Sequence, residues 1–519
     1  MSSRNKKADR EGKFSGHTAH HAIIDIGSNT VRLVIYGGSS RAPITLLNEK
    51  VVAKLGRDIG ETGRLADPAI EIAMRGLSRY ALILEDLGVA HVDVVATAAV
   101  REAENGPDFL EQVRALGLKP RLLSGEDEGR ISAMGVIGAF PGATGVVADL
   151  GGGSLELVHI AGGECSDAIS LPLGTLRLPE LRGDKPADTK KAAGQVLKSA
   201  NWDKPIDGPL YLVGGTWRAM AVYAMNAQSH PLSDPHGLEI SRDDAIKLAA
   251  EIAESDPDNL RQMPRISSQR SATLPDAGAL LLALLNKLDP PKIVFSSWGL
   301  REGLLFDRLE PYARGQDPLL AGVAVFAAQR GCPATLATRV ASWTVDALPS
   351  GSRSSERLRL AATMLSLASM QTEPNLRTNA AIDWALHKRW IALSSEDRAM
   401  LAAAVSANGN NCDLPGRITD LAPAELLDEA IAWGLAIRLC RRLGALSRRA
   451  FHATSLAVED NKLVLSLEQD HAALFGAPSE KDLRLLGECL GIETQVVIVP
   501  DDSIEQISVL PAGDIPAVA

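Results

Sequence analysis

Two short stretches set an acidic residue and a small, donor-rich turn at the end of an apolar strand. Residues 23–36 read IIDIGSNTVRLVIY: an apolar strand ending near Asp25, a turn of Gly27, Ser28, Asn29 and Thr30, and a second apolar strand. A turn of such small residues can point several backbone N–H groups at one anion. It reads as a hairpin and not as a strand-to-helix phosphate loop, because no Gly-Lys-Ser/Thr follows and the second segment stays strand-like. Residues 148–160, ADLGGGSLELVHI, repeat the pattern. Asp149 matches Asp25, Gly151 matches Gly27, Ser154 matches Thr30 and Leu157 matches Leu33, all at one offset (149 − 25 = 124). Between Gly151 and Ser154 the second copy has Gly152 and Gly153 where the first has Ser28 and Asn29. A repeat in register implies two related α/β domains, each giving one phosphate-gripping hairpin to a shared cleft.

The carboxylates around this clamp are the next chemical candidates. Asp149, with Asp25 and Glu156, could hold a divalent cation; magnesium prefers one or two carboxylates completed by phosphate oxygens. Glu156 stands where the first copy has Arg32, and reads either as a half-buried carboxylate facing the cleft or as a solvent-facing strand residue. The run Glu126-Asp127-Glu128 opens a helix behind Ser124, with Asp127 at the capping-box position. Acidic residues there complement the helix dipole, which accounts for most such runs. A carboxylate so close to the clamp could instead orient or deprotonate water. Arg101, Arg218, Arg270 and Arg301 could grip phosphate bidentately, although a surface ion pair explains each one alone. Arg438, Arg441, Arg442, Arg448 and Arg449 could line a channel for a long polyanion, or form a solvated helix face. His159 and His387 lack partners at zinc-ligand spacing, and no Gly-x-Ser-x-Gly or Cys/His pair suggests a covalent nucleophile.

These residues need a scaffold of several domains, since 519 residues exceed one core. Strands are expected over Val51–Leu55, Val92–Thr97, Arg121–Leu123, Ala168–Leu173, Tyr211–Val213 and Ile293–Ser296, many ending in Gly/Ser/Thr turns. A helix is expected over Asp67–Leu87, with Asp67 as N-cap and Pro68 at its first position. Boundaries follow: a polar tail at 1–20, α/β domains at 21–147 and 148–314, a helical domain at 315–449 and a small α+β domain at 450–519. In the last, Lys462–Leu467 and Glu493–Val499 read as strands flanking a helix near Glu480–Leu490. The net charge of −10 opposes non-specific binding to nucleic acid or anionic membrane, and 4% aromatic residues leave no obvious base-stacking platform. No apolar run has transmembrane length, and the polar start lacks the apolar stretch of a signal peptide. Five scattered cysteines without a CxxC are expected to be reduced, buried thiols of a cytoplasmic protein.

The motifs DIGSNTVRL, TAAVREA, LLSGEDEGRISAMGV, VVADLGGGSLELV, LPLGTLRL, VGGTWRA, LPDAGALLL and SSWGLREGLL follow one another over residues 22–310. In this order they closely resemble the exopolyphosphatase / guanosine pentaphosphate phosphohydrolase family, of the actin-like, sugar-kinase and heat-shock ATPase superfamily. The resemblance implies two ribonuclease H-like domains around a cleft, then an all-α domain related to HD phosphohydrolases and a small C-terminal domain. It implies Glu128 as catalytic base and Asp149 and Glu156 at a magnesium site, with potassium as an activator. It implies Arg101 as a phosphate ligand, Gly27–Thr30 and Gly151–Ser154 as phosphate loops, and Gly215 and Thr216 as a third turn lining the cleft. The expected activity is stepwise hydrolysis of the terminal phosphoanhydride of inorganic polyphosphate, by a homodimer.

Three alternatives stay open: the same chemistry on guanosine pentaphosphate, polyphosphate-dependent phosphotransfer, and a non-catalytic polyphosphate or alarmone sensor. Trp217 looks too bulky for the wall of an adenine pocket, which disfavours a nucleotide-dependent kinase. Where relatives carry metal-binding histidines in the helical domain, this chain has MLSLAS, with Ser366 and Leu367, and RTNAAIDWAL. An HD-type metal site is therefore not expected, and the domain is expected to bind or shape substrate.

Overall fold

The structure is a computed structural model describing residues 13–14, 17–182, 186–200, 202, 206–348 and 353–504. Most of the expected N-terminal tail and the closing DIPAVA lie outside the described residues. The chain folds as two compact units, Met1–Val325 with Arg389–Ser394, and Phe326–Lys388 with Ser395–Ala519.

The first unit holds both hairpins. Among the described residues, its first sheet comprises β1 (His21–Ile26), β2 (Val31–Gly38), β3 (Pro43–Val51), β4 (His91–Ala96) and β5 (Pro120–Leu122), in the order β3-β2-β1-β4-β5. Strands β1, β2 and β3 form an antiparallel meander, and β4 and β5 continue the sheet in parallel. Ile23, Ile24 and Ile26 are fully buried, as a strand covered on both faces requires. Helix α1 (Asp67–Leu87) lays Ala73, Leu77, Tyr80 and Leu84 on this core, a stripe recurring every three or four residues.

The second sheet repeats the plan. Its strands are β6 (Gly145–Leu150), β7 (Leu155–Ala161), β8 (Glu164–Leu171), β9 (Leu210–Val213), β10 (Glu239–Ser241) and β11 (Lys292–Ser296), in the order β8-β7-β6-β9-β11-β10. Again an antiparallel meander, β6-β7-β8, is extended by parallel strands, here β9 and β11. Strand β10 closes the edge antiparallel to β11. The helices that matter for chemistry follow strands directly: α2 (Ala98–Glu102) after β4, α3 (Gly125–Ala139) after β5, α4 (Gly215–Ala227) after β9 and α6 (Leu300–Asp307) after β11, with α5 (Ser268–Leu288) packed alongside.

Three sequence expectations need correction. The strand expected at Val51–Leu55 instead ends at Val51, having begun at Pro43. The N-cap of α1 is Ala66, without a side-chain capping bond, so Asp67 lies inside the first turn. Its carboxylate acts there through the helix dipole. Cys412 and Cys489 are exposed, while Cys332 and Cys440 are buried as expected.

The second unit is helical up to Ala453, with long helices at Arg353–Ala368, Pro374–His387, Ser395–Asn408 and Ala424–Gly444. Ser366 and Leu367 both lie in its packed interior. A three-stranded sheet follows: Thr454–Glu459, Lys462–Glu468 and Glu493–Val499, with helix Ala477–Leu490 crossing between the last two. The first of these strands was not expected; its six residues, TSLAVE, are too few to assert a period. The arginine row is not one open face. Arg438 (2.9 Å) and Arg442 (3.2 Å) pair with the fully buried Asp482, since a buried acidic group requires partners. Arg448 and Arg449 remain exposed.

Candidate active site

The two hairpins close in the same way. Gly27 N–H donates to the Thr30 carbonyl and Gly151 N–H to the Ser154 carbonyl, both at 3.0 Å. Register sets Asp25 opposite Arg32 and Asp149 opposite Glu156. The repeat seen in the sequence is thus a repeat of backbone geometry, with one cross-strand partner reversed in charge. Each loop is braced by a following segment: Gly56 N–H donates to the Ser28 carbonyl (2.7 Å), and Thr175 and Leu176 N–H donate to the Gly151 and Gly152 carbonyls. The loops also approach each other, so that a Cβ on Gly152 would lie 3.0 Å from Ser28 Cβ.

Between them lies a cavity of about 180 Å³. Both loops border it, together with the carboxylates of Asp25, Glu128, Asp149 and Glu302 and the guanidinium groups of Arg32, Arg218, Arg270 and Arg301. The third turn contributes Gly214 and Gly215. Gly214 has φ +122° and a Cβ there would lie 2.6 Å from the Leu150 carbonyl oxygen, so only glycine lets the chain turn from β9 into α4 at this point.

The carboxylates are held by different devices. Ser124 caps α3 by accepting from Asp127 N–H at 3.0 Å, which fixes the first turn that carries Glu128. Burial, then the nearby Asp149, pushes the Glu128 carboxyl up to about 8, against the opposing pull of Arg101. Arg101 donates to the Leu123 carbonyl (2.8 Å) and to Glu128 Oε2 (3.4 Å). Burial also raises Asp149, which accepts a 2.5 Å hydrogen bond from Ser132 Oγ, and it raises Asp25, against Arg301 and Arg32. Burial holds Arg218 down to about 10, helped by the adjacent Arg301. Four carboxylates and four guanidinium groups thus share one small space. Such an arrangement suits a polyanion whose charge is taken up by arginine and loop amides, with a carboxylate left basic enough to accept a proton.

Of the residues expected from sequence, Asp25, Gly27, Ser28, Asn29, Thr30, Glu128, Asp149, Gly151, Gly152, Gly153, Ser154 and Gly215 all border the cavity. Three do not. Arg101 stands behind Glu128 as its partner. Thr216 is fully buried and accepts from Arg270 Nη1 at 2.7 Å, so it positions that arginine. Glu156 lies under α3: a Cβ on Gly129 would meet Glu156 Cβ at 3.1 Å, one Glu156 oxygen accepts from Ser170 Oγ at 2.8 Å, and burial with Glu128 and Asp149 nearby raises its carboxyl well above the ordinary range. Among the described residues, Asp25, Asp149 and Glu156 do not gather into one metal-ligand set. Trp217 is fully buried in the core of the second sheet and does not border the cavity, so it says nothing about adenine. The sequence reading missed Arg32, treated only as the first-copy counterpart of Glu156, and also Ser132 and Glu302. The first had a signal, a cation directly across from a candidate ligand. Ser132 is one serine in a small-residue helix and had none.

Comparison with known proteins bears on the same region. The profile described as the Ppx/GppA phosphatase family matches residues 34–311. Exopolyphosphatase 1 of Mycobacterium leprae is 28% identical over 316 residues, which are 56% of this chain and 90% of that protein. A crystal structure of an exopolyphosphatase from Cytophaga hutchinsonii aligns with TM-score 0.50 at 23% identity, covering 56% of this chain and 98% of that one, and so shares the fold. A Ppx/GppA family member from Aquifex aeolicus aligns with TM-score 0.49 at 29% identity, covering 55% of this chain and 96% of that one. With residues 34–311, more than half of the chain, matched, and the second hairpin and Glu128 among them, the chain belongs to the Ppx/GppA phosphatase family.

Proposed function

We propose that the chain is an exopolyphosphatase, hydrolysing the terminal phosphoanhydride of inorganic polyphosphate and releasing orthophosphate. The observation that carries this reading is Glu128: a buried, proton-accepting carboxylate facing two amide-rich loops and four arginines across one cavity. The terminal phosphoryl group sits between the hairpin loops, whose N–H groups and Arg218 and Arg301 take its charge. Glu128 accepts a proton from water as the water oxygen bonds to the terminal phosphorus. The bridging P–O bond breaks, and the chain shortened by one phosphate leaves with the bond pair. Positioning and charge stabilisation supply most of the rate.

Magnesium fits the donors present. Asp25 and Asp149 face the same cavity, and burial first, then the charge of Asp25, raises Asp149. Two carboxylates with room for phosphate oxygens are what this cation prefers. We assign Asp149 and Asp25 as its holders, with Glu156 supporting from below. When bound, magnesium would neutralise charge on the phosphate oxygens. Potassium is proposed as an added activator on the family resemblance alone.

The decisive assay measures phosphate release from polyphosphates of several lengths by the wild type and by Glu128→Gln, with and without magnesium and potassium. Loss of about 10²–10⁴ in kcat in a folded variant is expected; release at the wild-type rate would sink the assignment. Guanosine pentaphosphate run in parallel separates that substrate from polyphosphate, and ADP added to the mixture reveals any phosphotransfer. The same reading takes the helices of the second unit as an HD-like domain without its metal ligands. It takes the working protein as a cytoplasmic homodimer, which sedimentation would check.

A further inference from the structure

A second cavity, of about 340 Å³, lies in the first unit at the opposite end of the first sheet from the hairpin turn. The starts of β1 and β4 and the end of β2 border it. Its volume falls in the range of small-molecule sites. The lining divides by chemistry. Tyr36, Leu305 and Leu309 offer ring and aliphatic surface, while His20, His91 and Arg308 offer N–H donors, and no carboxylate is among the lining residues. Asp93, just outside, accepts from His21 Nε2 at 2.7 Å and from Arg308, which fixes both groups at the rim. An arginine carries five N–H donors, and one such pair leaves others for an anion.

Helix α6 joins this cavity to the catalytic one. Its first residues and the turn before it, Gly299 to Glu302, border the catalytic cavity. Leu305 and the residues just after it, Arg308 and Leu309, border the second. Eight residues at ~1.5 Å each make a strut of about 12 Å. Tyr36 is a lining residue of the second cavity, and its hydroxyl donates to Glu302 Oε1 at 2.9 Å; Glu302 Oε2 in turn accepts from Gly299 N–H at 3.2 Å. The strut also lies against the helix of the base with no side chain between. A Cβ on Gly303 would fall 1.8 Å from the Ile131 carbonyl oxygen, and one on Gly135 would fall 2.4 Å from that of Gly299. Backbones in such contact shift together, so a movement at Leu305 or Arg308 reaches Arg301, Glu302 and the α3 turn bearing Glu128.

We propose that this cavity is a regulatory site for a small aromatic phosphate ester of the nucleoside monophosphate class, sensed at the catalytic cleft through α6. One guanidinium with imidazoles matches one phosphate, and the Tyr36 and leucine surface matches one flat ring. The binding half is independent of the exopolyphosphatase reading; the turnover half rests on it.

The test titrates AMP calorimetrically into full-length Glu128→Gln protein, with and without excess tripolyphosphate. Binding that survives tripolyphosphate, and weakens about tenfold or more (~1.4 kcal/mol) when Arg308→Gln or the cavity-filling Leu309→Trp is added, is the expected result. No binding at millimolar AMP, displacement by tripolyphosphate, or indifference to both added changes would overturn the site. In otherwise wild-type protein, AMP should change kcat or KM for polyphosphate by about twofold or more. Tyr36→Phe should bind AMP as before and lose that response. AMP binding with unchanged kinetics would overturn the regulatory role while leaving the site, and a failure of polyphosphate hydrolysis itself would count against the catalytic reading alone.

Discussion

Glu128 carries an energetic consequence besides its chemistry. In the unfolded chain it loses its proton near the ordinary value of 4.5; in the fold it holds it up to about 8. A raised carboxyl leaves folding unpenalised below the lower value, and stability is lost as pH rises from the lower value to the upper, by about 1.4 kcal/mol per unit at most. Glu128→Gln removes that slope. Urea unfolding of chelator-treated protein at about pH 5 and about pH 8 should therefore show the wild type losing a few kcal/mol more than the variant. Equal losses would mean that Glu128 is not strained by its burial. On the proposed role of Glu128 as base the same proton would set the rate: a base must be unprotonated to act, so kcat/KM for metal-free turnover should climb with pH toward about 8 and vanish in acid. A role so costly to stability is a reason to expect that activity and stability at this position trade against each other.

At the scale of elements, the hairpins were legible because their signal was doubled. Asp25 and Asp149 recur at one offset, and a turn of small residues has few other uses between two apolar strands. The N-cap of α3 was legible for a different reason: Ser124 and Asp127 are a local pair, three residues apart, and the bond they make needs nothing from the rest of the fold. What stayed illegible depends on tertiary neighbours. Glu156 reads the same in sequence whether its strand face meets the cleft or the underside of α3, and only packing against Gly129 decides it. Arg101 looked like a phosphate ligand because it exits a strand beside the cleft; its contact with Glu128 is 27 residues away in sequence. The turn after β9 tests this scale directly. Gly214→Ala forces a side chain into φ +122° and against the Leu150 carbonyl, on the strand that also bears Asp149. A loss of about 1–3 kcal/mol is expected in urea unfolding, with a larger effect on turnover than on substrate binding, since the turn carries Gly215 and Arg218 to the cavity. An unchanged unfolding midpoint would show that this turn relaxes without strain.

At the scale of the whole chain, the path matters as much as the parts. The first unit is not one continuous stretch: the chain leaves it after Val325 and Arg389–Ser394 belong to it again. That short return is anchored in three ways. Arg389 pairs with Asp234 at 2.7 Å, holding a largely buried carboxylate charged and its proton affinity below the ordinary range. Trp390, almost fully buried, comes within 3.8 Å of where a Cβ on Gly322 would be. Ile391 packs with Trp298 and Ala139, which places it against the turn before α6 and the end of α3. A protein cut after Val325 would keep both hairpins, the cavity and Glu128, yet lose this anchor and leave Asp234 buried without its cation. Truncation after Val325 should therefore yield a first unit that is less stable than the same unit in the full chain. The point change Ile391→Ala isolates the packing part. It should lower the stability of the first unit by about 2–4 kcal/mol, the usual range for emptying a buried isoleucine site. Because Trp298 sits just before Gly299, that variant should also reduce kcat more than its stability loss alone explains at a temperature where it stays folded. Hydrogen exchange at β11 and α6, compared between wild type and variant, is the measurement: protection lost there and kept in β1 and β2 fits a local anchor, whereas a uniform loss would mean that Arg389–Ser394 contributes only bulk stability.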